Sequence, residues 1–162
     1  MSTADAPIAT APVVPGSAPH LLVVRAPYYR DVVDGMTRGA LRILAEAGAT
    51  HEILNVAGSF ELAQAIGIAA RGPRPYDGYI ALGCIVRGET DHYHYICQET
   101  MAGLRQVALQ FGIALGSGVL TVHSLDQAVA RSSADGHNKG AETAVAALLQ
   151  IVAARRLGVV DV

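Results

Sequence analysis

A chain of 162 residues is long enough for one domain with its own core and too short for two of ordinary size. Hydrophobic residues make up 51% of it and charged residues 16%, so we expect some apolar surface to be buried between subunits. The net charge of −2 with scattered Lys and Arg argues against a nucleic-acid partner, and no apolar run approaches the ~20 residues that span a membrane.

The start of the chain differs in composition from the rest. Residues 1–19 contain several prolines among small residues and show no apolar period, which predicts a flexible arm ahead of a single domain over residues 20–162. The arm lacks the basic and apolar regions of a signal peptide, so we expect a cytoplasmic location. Cys84 and Cys97 have neither metal-ligand spacing nor a secretory context, which predicts two reduced packing residues.

Strands and helices alternate from His20 onward. The apolar run His20–Arg25 predicts a strand that is buried on both faces, and apolar residues at helical spacing predict a helix over Asp31–Ala47. His51–Val56 predicts a second strand. It is followed by a turn and helix cap at Gly58-Ser59 and a helix over Glu61–Ala70.

The second half of the chain continues this alternation. Tyr79–Val86 predicts the third strand, Gly118–Val122 the fourth, and Leu125–Arg131 a short helix. Two longer helices are predicted from apolar stripes, one formed by Cys97, Met101, Leu104, Ala108 and Phe111 and one by Ala141, Val145, Leu148 and Val152. Four strands alternating with helices predict an α/β fold with a central four-stranded parallel sheet and helices on both faces.

The carboxyl ends of the predicted strands are where a ligand is expected. Parallel sheets of this kind bind ligands there, at the point where strand order reverses. The segments at these ends hold an unusual share of the aromatic, acidic and imidazole side chains, so they can form one pocket. They are Ala26–Tyr29, Val56–Glu61, Cys84–His92 and the residues after Val122. No dinucleotide fingerprint, P-loop or Gly-x-Ser-x-Gly elbow occurs.

His92 is the candidate general acid/base. It falls in the first turn of the predicted helix, where an imidazole can move protons near neutral pH, although a surface histidine is the simpler interpretation. The segment Arg87–His92 joins a strand to a helix start, which favours a bound anion. His92 and His94 do not share a helix face, so we do not predict a metal site.

Several other residues allow both a structural and a functional interpretation. Arg131 is either a solvated arginine or a ligand for phosphate oxygens. Lys139 either forms a local ion pair with Glu142 or contacts substrate, and Glu61 either stabilises a helix start or accepts hydrogen bonds from a polyhydroxyl chain. Rings at the strand ends either cover core or stack on a planar heterocycle. These are Tyr28, Tyr29 and Phe60.

Three segments resemble the signature segments of lumazine synthases: Gly58-Ser59-Phe60-Glu61, Leu82–Tyr93 and Asn138-Lys139-Gly140. The resemblance extends from about His20 to Leu157. It implies a flavodoxin-like three-layer sandwich that assembles into homopentamers, with active sites shared between adjacent subunits and with no metal or organic cofactor. It also implies condensation of 5-amino-6-(D-ribitylamino)uracil with 3,4-dihydroxy-2-butanone 4-phosphate, the penultimate step of riboflavin biosynthesis, with riboflavin synthase as a candidate partner.

The resemblance also implies a role for each matching residue. His92 carries protons. The phosphate-binding residues are Glu89, through its backbone N–H, Thr90 and Arg131. The residues that bind the pyrimidine ring and the ribityl chain are Tyr28, Ser59, Phe60, Glu61, Cys84, Ile85, Val86, Ser117 and Lys139.

Some positions depart from the family pattern. Pro27-Tyr28-Tyr29 stands where relatives usually carry Arg, then Phe or Trp, then a polar residue. Ser117 replaces a phenylalanine that neighbouring subunits often supply, and Cys84 replaces a threonine. The departures at Tyr28 and Ser117 motivate one alternative, a shell that binds lumazine or flavin and contributes little catalysis. A second alternative is a flavodoxin-like electron carrier, which would purify with a yellow cofactor. Free pentamers, decamers and icosahedral shells also remain open.

Overall fold

A computed structural model describes residues 8–134 and 137–159. Within these ranges, four parallel strands form one sheet in the order β2-β1-β3-β4. The elements are β1 His20–Arg25, α1 Arg30–Glu46, β2 Thr50–Asn55, α2 Glu61–Arg71, β3 Gly78–Val86, α3 His92–Phe111, β4 Leu115–Val122, α4 Leu125–Ser132 and α5 Lys139–Arg156.

The sheet is covered on both faces because its two central strands, β1 and β3, are apolar on both sides. Leu21 and Val23 of β1 pack with α1 and α5, whereas Leu22 and Val24 pack with α2 and α3. The same alternation runs along β3, whose first eight residues are buried. Helices α1, α4 and α5 therefore cover one face and α2 and α3 the other, which confirms the flavodoxin-like three-layer sandwich.

Two details of the sequence prediction are wrong. Ser59 does not cap α2: Phe60 holds the N-cap position without a side-chain hydrogen bond, and Ser59 is buried instead. The buried stripe of α3 is formed by Thr100, Leu104 and Val107, whereas the side chain of Met101 is 46% exposed. Leu104 is buried as predicted, and Cys97 and Phe111 are partly buried against the same core, so the error is confined to Met101 and Ala108, whose places are taken by Thr100 and Val107.

Strand β4 begins three residues before the predicted start, at Leu115 rather than Gly118. Its first half contains Gly116 and Gly118, which interrupt the apolar pattern. Both glycines lie against α5, since a Cβ on Gly116 would lie 2.3 Å from the carbonyl oxygen of Thr143 and one on Gly118 2.5 Å from its hydroxyl. The glycines therefore allow α5 to pack closely on the edge strand.

The predicted arm lies partly outside the described residues. Residues 8–19 form no helix or strand, yet Ala9 is buried against the core. The side chain of Arg155 is 1% exposed and donates hydrogen bonds to the carbonyl oxygens of Pro15 and Ser17. The same guanidinium pairs with Asp77 at 3.1 Å. These contacts hold residues 15–17 against the end of α5.

Among the described residues, no helix is long and apolar enough to cross a membrane. Within the same residues, no group of three or more His, Cys, Asp and Glu is arranged to hold a metal ion. Cys84 and Cys97 are both free thiols, as predicted.

Candidate active site

A cavity of about 510 Å³ opens at the carboxyl ends of β1 and β3, where the strand order reverses. It is formed by the three segments that follow β1, β2 and β3, so residues distant in sequence meet in one place. The residues that line it are Tyr28, Tyr29, Ala57, Gly58, Ser59, Phe60, Glu61, Cys84, Ile85, Val86, Gly88, Thr90, His92, Tyr93 and Ile96.

Aromatic rings form one wall of the cavity. Tyr28 is 77% exposed and packs edge-to-face on Tyr29, with ring centroids 5.1 Å apart. Phe60, which is 47% exposed, follows the short turn that ends β2. Exposed rings beside a cavity provide flat surfaces on which a planar heterocycle can stack.

The floor of the cavity is closely packed and uncharged. Cys84 is 4% exposed, and burial raises the pKa of its thiol to about 11. Burial also raises the pKa of the Tyr29 hydroxyl, and the neighbouring Tyr28 and Cys84 raise it further. Both groups are therefore neutral at physiological pH, which suits an uncharged ring with hydrogen-bonding edges.

Two helices begin at the cavity and direct their N-terminal backbone groups towards it. Glu61 is the first residue of α2 and His92 the first of α3, as predicted from the sequence. The N-cap of α3 is Asp91, whose side chain makes no capping hydrogen bond. The first N–H groups of α3 therefore have no side-chain acceptor, and an anion beside Thr90 would supply one.

Four predicted site residues do not line the cavity. Glu89 is exposed between two lining residues, Gly88 and Thr90, in the segment after β3. The other three lie on β4 and the helices that follow it.

These three side chains make contacts elsewhere. Ser117 is exposed on β4, with its hydroxyl 4.0 Å from the sulfur of Met101. Arg131 is half-buried and donates to the carbonyl oxygen of Gln127 at 2.8 Å. Lys139 pairs with Glu142 at 2.7 Å, the local ion pair that its spacing predicted.

The structure places Tyr29, one of the three rings predicted either to cover core or to stack on a heterocycle, in the cavity lining. It also adds lining residues to which the sequence assigned no site role, such as Tyr93 and Ile96, which follow His92 on α3. The spacing of His92 and Ile96 is a usable signal, since positions i and i+4 of a helix share a face. For Tyr93 the sequence contains no such signal. The ring that it contacts belongs to His123, 6.3 Å away between centroids, and His123 lies on a segment distant in sequence.

Comparison with known proteins identifies the family to which this site belongs. Residues 18–155 match the family model described as 6,7-dimethyl-8-ribityllumazine synthase, a span that includes all the lining residues. The chain belongs to the 6,7-dimethyl-8-ribityllumazine synthase family. The lumazine synthases are transferases, so this family member is an enzyme of that class, and the resemblance seen in the sequence is confirmed.

Individual lumazine synthases match nearly the whole chain. The protein is 37% identical over 140 residues to 6,7-dimethyl-8-ribityllumazine synthase of Bartonella tribocorum, covering 86% of this chain and 93% of that protein. The Agrobacterium fabrum synthase is 39% identical, with coverage of 88% and 99%. A Rhizobium meliloti protein named 6,7-dimethyl-8-ribityllumazine synthase 1 is 41% identical, with coverage of 86% and 94%.

Proposed function

We propose that the protein condenses 5-amino-6-(D-ribitylamino)uracil with 3,4-dihydroxy-2-butanone 4-phosphate to give 6,7-dimethyl-8-ribityllumazine, phosphate and water, the penultimate step of riboflavin biosynthesis. The observation that carries the proposal is the cavity at the strand-order reversal, because two of the family's signature segments meet in it. Its volume of about 510 Å³ lies within the range of sites for small organic substrates.

The pyrimidine substrate would occupy the aromatic end of the cavity. Tyr28 would stack on the ring, and the segment Cys84–Val86 would meet the uracil edge. The segment Ser59–Glu61 would bind the ribityl chain, with the Glu61 carboxylate accepting hydrogen bonds from its hydroxyl groups. The neutral, buried floor around Cys84 supports this orientation, since an uncharged ring loses little by leaving water there.

The sugar phosphate would lie at the start of α3. The backbone N–H of Glu89, the Thr90 segment and the guanidinium of Arg131 would bind its phosphate. The 5-amino group then attacks the ketone, and imine formation, elimination of phosphate and ring closure follow. His92, beside the cavity, would carry protons between these steps, and the protein's main contribution would be to hold the two substrates together.

The site would be shared between adjacent subunits of a homopentamer. Ser117, Arg131 and Lys139 support this arrangement because none of them lines the cavity of its own chain. We propose that a neighbouring subunit brings these three side chains to the cavity. We also propose that the enzyme acts in the cytoplasm and that riboflavin synthase, which would consume the lumazine, is a candidate partner.

Mixing the purified protein with both substrates and following lumazine absorbance and fluorescence tests the proposal. The wild type should form lumazine faster than the uncatalysed mixture, and Arg131→Ala should lose about 10- to 100-fold in kcat/KM because the phosphate loses a charged ligand. Arg42→Ala is the matched control, since Arg42 forms an exposed ion pair with Glu46 on α1. A wild-type rate equal to the background would eliminate the enzyme and leave a ligand-binding shell.

A further inference from the structure

Asn138 is the buried centre of a hydrogen-bond cluster outside the cavity. The residue is 5% exposed and is the N-cap of α5, with its side-chain oxygen accepting from the backbone N–H groups of Gly140 and Ala141 at 2.9 and 3.1 Å. Its amide nitrogen donates to three backbone carbonyl oxygens: Gly35 at 3.0 Å, Ser132 at 2.8 Å and Ser133 at 3.0 Å. One side chain therefore joins the start of α5, the end of α4 and the middle of α1.

Glycines on both sides make this close approach possible. A Cβ on Gly39 of α1 would lie 2.1 Å from the Asn138 side-chain oxygen, and one on Gly35 would lie 2.5 Å from the carbonyl oxygen of Ser132. A Cβ on Gly140 would lie 1.9 Å from the carbonyl oxygen of Met36. Glycine is unfavourable inside a helix, so its use at two positions of α1 indicates that the fit around Asn138 is important.

Asn138 does more than an N-cap requires. A cap needs one acceptor, as Ser124 shows at the start of α4 by accepting only from the backbone N–H of Gln127 at 3.4 Å. The three bonds donated by the Asn138 amide add nothing to the capping of α5. Two of them fix the end of α4, where the carbonyl oxygens of Ser132 and Ser133 lack helical partners, and the third reaches Gly35 of α1.

Two cationic side chains that are candidates for binding substrate lie directly beside this cluster. Arg131 immediately precedes Ser132, and Lys139 immediately follows Asn138. The side-chain contacts that the structure gives them, Arg131 with Gln127 and Lys139 with Glu142, are both made within their own helices. Their separation therefore depends on how the end of α4 is held against the start of α5.

We propose that Asn138 is a positioning residue that sets the distance between Arg131 and Lys139, and thereby the distance between the phosphate that one binds and the ribityl chain that the other contacts. This inference rests on the proposed function. Two substrates that must react with each other are sensitive to such spacing, because small misplacements weaken both binding and the approach of the reacting atoms. Asn138 acts through the positions of the Arg131 and Lys139 side chains and touches neither substrate.

Two substitutions distinguish the capping role of Asn138 from its role in the hydrogen-bond cluster. Asn138→Asp keeps an acceptor for Gly140 and Ala141 but places an oxygen, in place of a donor, against three carbonyl oxygens. Asn138→Ser keeps a capping acceptor and removes the amide nitrogen, and its single, shorter hydroxyl cannot replace the bonds to three carbonyl oxygens, so it is expected to fold even where the aspartate variant does not. Ile151→Ala, a buried substitution on α5 far from Arg131 and Lys139 in sequence, controls for lost stability.

The measurement is the kcat and KM for the butanone phosphate in wild type, Asn138→Ser, Arg131→Ala and the double variant. We expect Asn138→Ser to raise KM about tenfold, and to add less than about twofold in the Arg131→Ala background, because a residue acting through Arg131 loses its effect without it. Ile151→Ala should keep the wild-type KM at a temperature where it is folded.

Each other outcome overturns the inference. An unchanged KM in Asn138→Ser would show that Asn138 has only a structural role. The same conclusion would follow if the full tenfold rise in KM were repeated in the double variant, and the role of Arg131 in binding phosphate would stand in both cases. Absence of turnover by the wild type would remove the proposed function and this inference with it. The two failures are therefore distinguished by the wild-type and Arg131→Ala rates.

Discussion

At the scale of single residues, burial determines the chemistry of Cys84. Its thiol forms part of the cavity floor, where its pKa is raised to about 11 because the thiolate would lose its hydration. The sequence predicted a reduced packing cysteine from its apolar neighbours. It gave no means of predicting that burial, Tyr28 and the Cys84 thiol together raise the pKa of the Tyr29 hydroxyl, since these groups meet only in the folded chain.

The raised pKa predicts slow alkylation of Cys84. In a Cys97→Ser variant, iodoacetamide at pH 8 should modify the folded protein about 100-fold more slowly than the urea-unfolded chain, since two pKa units separate their thiolate fractions. The rate should rise as the pH approaches 11. A native rate at pH 8 equal to the unfolded rate would contradict this expectation, and the double variant with Cys84→Ser and Cys97→Ser, which has no thiol, serves as the blank.

The same shift has a consequence for stability, with a definite sign. A thiol whose folded pKa is above its unfolded value of 9.0 holds its proton more tightly in the native state. The contribution of this thiol to the free energy of unfolding is therefore present below pH 9 and is lost as the pH rises from about 9 towards 11.

At the scale of elements, the sequence predicted the positions of the nine helices and strands that the structure describes, because most of them are apolar runs or apolar stripes between glycines or polar turns. The prediction was less successful for segments whose burial depends on packing against neighbouring elements rather than on sequence periodicity. Gly116 and Gly118 interrupt the apolar pattern in the first half of β4, so the predicted strand began too late. On α3, two of the predicted buried positions each differ by one residue from the buried positions in the structure. Likewise, the sequence motifs located the cavity, but the contact of Arg131 with its own helix could not be predicted from them.

Arg25 links three elements at the mouth of the cavity and provides a test at this scale. Its guanidinium donates to Asn55 at the end of β2 at 2.7 Å and to Asp34 of α1 at 2.8 Å. Because the Arg25 side chain is only 19% exposed, Arg25→Ala should lower the free energy of unfolding by about 1–3 kcal/mol in urea titration. It should also raise KM for the ribitylaminouracil, since the segments after β1 and β2 would separate.

The exposed pair of Arg42 with Glu46 is again the control, with an expected loss below about 0.5 kcal/mol. Equal losses for the two arginine variants would show that Arg25 makes no special contribution to holding these elements together.

At the scale of the whole molecule, a single chain leaves apolar surface exposed to solvent. Large apolar side chains remain exposed on the edge strand β2, where Ile53 and Leu54 are 43% and 42% exposed, although unprotected edge strands tend to associate. The sequence predicted such an excess from its composition of 51% hydrophobic residues. Which surfaces meet could not be predicted, because that depends on the relative geometry of folded subunits.

Complementation between two inactive variants tests the shared site. If His92 comes from one subunit and Arg131 from its neighbour, co-refolding His92→Ala with Arg131→Ala produces some sites that carry neither substitution. Random assembly of equal amounts of the two variants makes about one quarter of the sites intact, so about one quarter of wild-type lumazine formation should return. Co-refolding Arg131→Ala with Lys139→Ala should restore nothing, because both residues come from the same side and every site then keeps one substitution. A site built within one chain would give no recovery in either mixture.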